Sequence, residues 1–154
     1  MPKKLSEHFT LEEMILSQTA AREGIDNTPT PEVIKNLRIT VATLEEIRDL
    51  LGVPVLVSSG YRSPALNKAV KGSKTSAHMQ GLAADFTAPG FGTVFQVARK
   101  IAASGISYDQ LIYEFDSWVH VGLRVGEPRR QNLSIFKGTG FLPGIVRQPK
   151  PSPV

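Results

Sequence analysis

The chain of 154 residues is 41% apolar and 21% charged, which suits one globular domain with a hydrophobic core of its own. No run approaches the roughly 18 consecutive apolar residues of a membrane span, and the absence of cysteine excludes a disulfide framework and a thiolate metal site. The net charge of +4 is unevenly placed: residues 1–123 carry 12 basic and 13 acidic side chains, and residues 124–154 carry 6 and 1.

The opening Met1-Pro-Lys-Lys-Leu-Ser-Glu-His8 has basic residues without an apolar stretch behind them, so no secretory signal peptide is expected. Thr10-Leu-Glu-Glu13 has capping-box spacing, and Phe9 with Met14 can staple a short helix behind it. Thr30-Pro31-Glu32 predicts a second helix start with proline at the first helical position. Val33, Leu37, Val41, Leu44, Ile47 and Leu51 then recur at helical spacing until Gly52 ends the pattern. The Val-rich Pro54–Ser58 run reads as a strand, and Ser63-Pro64 opens a short helix ending near Gly72.

Ala83–Thr87 reads as another strand. Thr93–Ser104 carries Val94, Val97, Ala98 and Ile101 on one helical face, with Gly105 as a stop. Gln110–Glu114 and Trp118–Leu123 read as two strands joined in a hairpin. This order predicts an α+β domain with a small, mainly antiparallel sheet and flanking helices. It spans residues 1–124, with 125–154 as a basic, Pro-rich C-terminal tail. Such a tail either attracts polyanions such as wall polymers or is simply solvated; nucleic acid is not an expected partner. The closing Pro-Lys-Pro-Ser-Pro-Val is expected to be extended and disordered.

Only three histidines occur, at positions 8, 78 and 120. His78 lies in Ser76-Ala-His-Met-Gln-Gly-Leu-Ala-Ala-Asp85, a loop that turns at Gly81 and enters a strand carrying an acid. His120 lies in Trp118-Val-His-Val-Gly122, where strand alternation puts Trp118, His120 and Gly122 on one face. A loop His, a strand Asp and a hairpin His can converge as a metal site. Two imidazoles and one carboxylate suit zinc and leave the fourth tetrahedral position open, which points to catalysis rather than structure. The alternative is a pair of satisfied core histidines. His8 reads as an ordinary surface residue.

The segments Ser59-Gly-Tyr-Arg-Ser-Pro64, Ser76-Ala-His-Met-Gln-Gly-Leu-Ala-Ala-Asp85 and Trp118-Val-His120 closely resemble the M15 family of zinc peptidases. That family includes D-alanyl-D-alanine carboxypeptidases, D,D-dipeptidases and bacteriophage endolysins that cut between L-alanine and D-glutamate. The resemblance covers about residues 5–124. It implies zinc (Zn2+) held by His78, Asp85 and His120, and a fold similar to the small α+β core of the hedgehog signalling domain and the D,D-peptidases. It also implies that Arg62 faces a substrate carboxylate, a task suited to a guanidinium fork; pinning of the following loop is the alternative role. Ser76 either contacts substrate or orients the His78 loop.

Hydrolysis needs a general base. Many M15 members place an acid three residues before the last histidine, where this chain has Ser117. Glu114, six residues before His120 as in the hedgehog-type arrangement, is the preferred base. Asp116, in the turn, is the alternative, and Asp there has a purely local rationale. The resemblance thus implies a monomeric cell-wall hydrolase, a metallopeptidase acting on peptidoglycan peptide stems. The favoured form is an endolysin-like L-alanyl-D-glutamate endopeptidase, synthesised in the cytoplasm and acting on the wall after release. A D-alanyl-D-alanine carboxypeptidase and a non-catalytic zinc-containing binding module are the alternatives.

Overall fold

A computed structural model describes residues 3–149. Local signals start and stop the helices. In α1 (Leu11–Ile15), the Thr10 side chain accepts from the Glu13 N–H while the Glu13 side chain reaches back to the Thr10 N–H, the reciprocal capping read from the sequence. A six-residue helix, α2 (Gln18–Glu23), follows between Ser17 and Gly24; it is too short to show a helical period, and sequence analysis did not find it. Thr30 caps α3 (Pro31–Leu51), and Gly52 ends it in the left-handed conformation. Its buried face carries Val33, Leu37, Val41, Leu44, Ile47 and Leu51, the stripe expected from the spacing. α4 (Pro64–Ala69) and α5 (Val94–Ala102) are capped by Ser63 and Thr93.

Six strands form one sheet: β1 (Leu56–Ser59), β2 (Ala83–Thr87), β3 (Gln110–Glu114), β4 (Trp118–Gly122), β5 (Gln131–Ile135) and β6 (Leu142–Pro143), in the order β1-β2-β4-β3-β5-β6. All neighbours run antiparallel except β3 and β5, which are parallel. The architecture is therefore α+β, with the mainly antiparallel sheet that the order of elements implied. Alternation divides the sheet into two faces. Ala84, Phe86, Leu111, Tyr113, Val119 and Val121 join the α3 and α5 side chains in the core. Asp85, Ile112, Glu114 and His120, offset by one residue, belong to the opposite face, which no long helix covers. Among the described residues, no helix is long and apolar enough to cross a membrane.

The C-terminal segment departs from expectation. Residues from 125 onward were expected as a tail, yet β5 pairs with the exposed edge of β3 and β6 extends the sheet further. Phe136 and Ile145 are 2% and 6% exposed and belong to the core. Arg130 stacks over Tyr108, 4.7 Å from the ring centroid, and donates to the carbonyls of Ala102, Ser104 and Ile106. Packing thus continues at least to Ile145, past the expected boundary at 124. Glycine, proline and arginine break up the apolar residues here, so no period is legible, while an otherwise unpaired β3 edge provides the pairing partner. Of the closing Pro149–Val154 stretch, residues 150–154 lie outside the described residues.

Phe136 anchors this segment in the core, so Phe136→Ala should cost about 3–5 kcal/mol of folding stability, the usual loss for a buried aromatic. Denaturant unfolding measures it. A loss below about 1 kcal/mol would mean that the segment does not belong to the cooperative unit.

Candidate active site

Sheet register brings the chemistry together. Asp85 on β2 and His120 on β4 are direct cross-strand partners, so their side chains rise from the same face side by side. The third group comes from a 3-10 turn at Ala77–Gln80, capped at its start by the Ser76 hydroxyl, which accepts from the His78 N–H at 3.2 Å. Gly81 closes the turn at φ 76°, where a Cβ would sit 2.9 Å from the Val33 carbonyl. Only glycine fits this close, left-handed corner. The turn aims His78 at Asp85, and the two imidazole centroids lie 5.1 Å apart, edge on.

The polar contacts of this trio are incomplete. His78 Nδ1–H donates to the Gly60 carbonyl at 2.6 Å, which leaves a lone pair on Nε2. That Nε2 is buried with no hydrogen-bond partner among the described residues, although Asp85 Oδ1 is 3.3 Å away. Asp85 Oδ1 also lies 2.9 Å from His120 Nδ1. A lone pair and a carboxylate oxygen facing one another repel unless a proton or a cation lies between them. Burial, the largest influence on His78, pushes its imidazole toward the neutral form, so a proton there is disfavoured. A cation is the remaining solution, and the ligand atoms of His78, Asp85 and His120 all lie within 4.8 Å of one another. The donor set fits a divalent metal ion. Burial alone would raise the Asp85 carboxyl, but the hydrogen bond from His120, with the nearby imidazole of His78, outweighs it and holds the group well below the usual carboxylate range.

The trio lies in a cleft of about 1000 Å³ that Arg62, Ser76 and Glu114 also line. Glu114 is one pleat along β3 from Ile112, the cross-strand partner of His120, and so shares the face of the trio. Burial, reinforced by the negative charge of Asp85, raises its carboxyl; His120, the Trp118 indole and Arg62 pull only partly the other way. Asp116 does not line this cleft. Its carboxylate accepts from the Tyr113 hydroxyl, whose ring packs with the core on the opposite face. Ser117 is likewise occupied locally, donating to the Phe115 carbonyl at 2.9 Å.

Arg62 binds the His78 loop through its backbone, its N–H donating to the His78 carbonyl at 3.0 Å. Its Nε is buried without a hydrogen-bond partner among the described residues. Desolvation weakens its hold on the proton, while the charges of Asp85 and Glu114 strengthen it. The guanidinium is thus placed for an anion entering the cleft. The Ser76 hydroxyl caps the His78 turn and also borders the cleft. His8 pairs with Glu45 at 2.7 Å, away from the trio.

Two features escaped sequence analysis. The Gly60 carbonyl fixes the His78 tautomer, and a Cβ at Gly60 would lie 2.3 Å from the Met14 carbonyl; the glycine in Ser-Gly-Tyr-Arg was its only signal. The far wall of the cleft comes from the C-terminal segment, through Arg124, Arg129, Gln131, Leu133 and Phe141. No motif marks these residues.

A family model described as Peptidase M15 matches residues 7–122, a span containing every residue of the trio together with Arg62, Ser76 and Glu114. Among curated proteins, none matches the chain.

In metal-free protein, the His78 environment should produce a distinct acid sensitivity. The folded state resists protonation below the unfolded value of about 6.5, so this stability is present above that pH and lost as pH falls toward the depressed folded value. Asp85, also depressed, adds a loss of the same sign below about pH 4. Between pH 7.5 and 5, stability should fall more steeply in the wild type than in His78→Gln, by up to about 1.4 kcal/mol per pH unit. Parallel unfolding profiles would contradict this environment.

Proposed function

The chain belongs to the peptidase M15 family and is a metallopeptidase, and from that membership we propose that it is a zinc enzyme cutting peptidoglycan peptide stems, an endolysin-like L-alanyl-D-glutamate endopeptidase. The observation that carries this reading is the unsatisfied His78 Nε2 facing Asp85 beside His120, in the same cleft as a carboxyl raised by burial. Imidazole and carboxylate donors with no thiolate favour zinc among the common ions, and three protein ligands leave a position for chemistry.

Zinc bound there supplies Lewis acidity toward the scissile carbonyl and toward water. In this reading Glu114 takes a proton from the attacking water and delivers it to the departing amine, so amide and water become acid and amine. A carboxyl raised toward neutrality suits both halves of that transfer. The Gly60 carbonyl and the Ser76 cap hold His78 in one tautomer and one orientation, which spares the site reorganisation during the reaction. Arg62 pairs with a carboxylate of the substrate through its planar fork. The cleft continues from the trio to Arg124 and Phe141, giving room for residues beyond the cut, and this favours an endopeptidase over an enzyme that trims one terminal residue.

Digestion of purified peptidoglycan, with fragments identified by mass, tests the bond assignment. New amino termini on D-glutamate are expected. Release of D-alanine alone would identify a D-alanyl-D-alanine carboxypeptidase, and no cleavage by zinc-loaded protein would identify a non-catalytic module. For the base, Glu114→Gln should lower turnover about 10²–10⁴-fold with zinc content and folding preserved, while Asp116→Asn should have little effect on turnover. The reverse pattern would show that the wrong carboxylate has been assigned.

A further inference from the structure

We propose that Arg124 forms a second anion subsite, which selects peptides carrying a free carboxylate two to four residues from the scissile bond. This rests on the peptidase reading above and specifies its substrate class.

The charge balance at the far end of the cleft carries the inference. Asp109 is the acid there, and Arg129 saturates it: Nε and Nη2 donate to its two oxygens at 3.0 and 2.8 Å, and the Arg129 backbone N–H adds a third bond at 3.1 Å. This bidentate engagement holds the Asp109 carboxyl below the usual range. Arg124 stands 3.8 Å from the same carboxylate, beyond hydrogen-bond reach, with a side chain 49% exposed. Two guanidinium groups thus share one carboxylate, leaving one positive charge in surplus on the cleft wall. Nearby polar groups compensate one another, since Gln110 Nε2 donates to Gln131 Oε1 at 2.8 Å. An arginine held beside a carboxylate that is already saturated suits the carboxylate of an incoming peptide.

Register gives the spacing. Gly122 and Gln110 are cross-strand partners one pleat from the His120–Ile112 pair, and Arg124 lies two residues further. At about 3.3 Å per residue, that is roughly 7–13 Å along the strand from the reaction centre. An extended peptide crosses the same distance in two to four residues. Arg62, whose backbone is bonded to the His78 carbonyl, is too close to the centre to serve this position; the two arginines would read different carboxylates of one chain.

The test uses two forms of L-Ala-γ-D-Glu-L-Lys-D-Ala whose alanyl–glutamyl amide is replaced by an uncleavable ketomethylene. One ends in a free carboxylate and the other in a carboxamide. Titrated calorimetrically into the zinc-loaded wild-type protein, the carboxylate form should bind about tenfold more tightly, as expected for a charged hydrogen bond. Arg124→Gln should shrink the difference to about twofold or less, and Arg124→Glu should reverse the preference. Equal affinity for the two forms, a preference that survives Arg124→Gln, or binding of neither form would overturn the subsite. Peptidoglycan digestion by the same protein reports separately on the peptidase reading, so the two fail independently.

Discussion

The pairing of Asp85 with His120 across β2 and β4 is the constraint on which the site depends. Antiparallel register fixes both side chains on the open face of the sheet, and the capped turn at Ala77–Gln80 brings His78 against them. A closed hydrogen-bond network would make this trio a structural feature. Instead, the Gly60 carbonyl occupies the Nδ1 proton of His78 and leaves the Nε2 lone pair buried opposite a carboxylate. Such an arrangement is expensive in a low-dielectric interior unless a cation completes it. The geometry is held by strands and a braced turn rather than by mobile loops, so the ligands are pre-positioned when the chain folds. Ion binding is thereby linked to folding stability.

The two faces of one sheet divide the work. On one side, alternate residues of β2, β3 and β4 pack with α3 and α5 and supply the cohesion of the fold. On the other, the intervening residues present ligands, a buried carboxyl and cleft wall. A one-residue slip in the β2–β4 register would exchange these sets, exposing Ala84 and Phe86 and burying Asp85. Burial of the apolar face therefore enforces the register that assembles the reactive face. The turn after β3 separates Glu114 from Asp116: Phe115 and Asp116 are left-handed, at φ 54° and 53°, so Glu114 borders the cleft whereas Asp116 is engaged by Tyr113 from the core side.

Much of this was legible in the sequence because the signals are local. Thr10, Thr30 and Thr93 announced their helices, and the α3 stripe gave its buried face. Alternation in Trp118–Gly122 placed His120 outward. The motifs around His78, Asp85 and His120 identified residues that the fold brings within ligand distance of one another. What remained hidden depends on contacts between distant segments. Nothing local distinguishes Gln131–Ile135 from a polar tail, because its stability comes from the β3 edge and from Phe136 and Ile145 entering a core built elsewhere. Which of Glu114 and Asp116 borders the cleft depends on the turn beyond the end of β3. Likewise, the Gly60 carbonyl carries no side-chain signature.

The central claim is that the His78–Asp85–His120 trio is a zinc site. Measuring the metal content of protein purified without added metal, by elemental mass spectrometry, tests it most directly. The account predicts about one zinc per chain in the wild type, consistent with a three-ligand protein site, and none in the His78→Ala/His120→Ala double variant. Stoichiometric zinc persisting in the double variant, or a wild-type protein that takes up no zinc even when it is supplied, would contradict it.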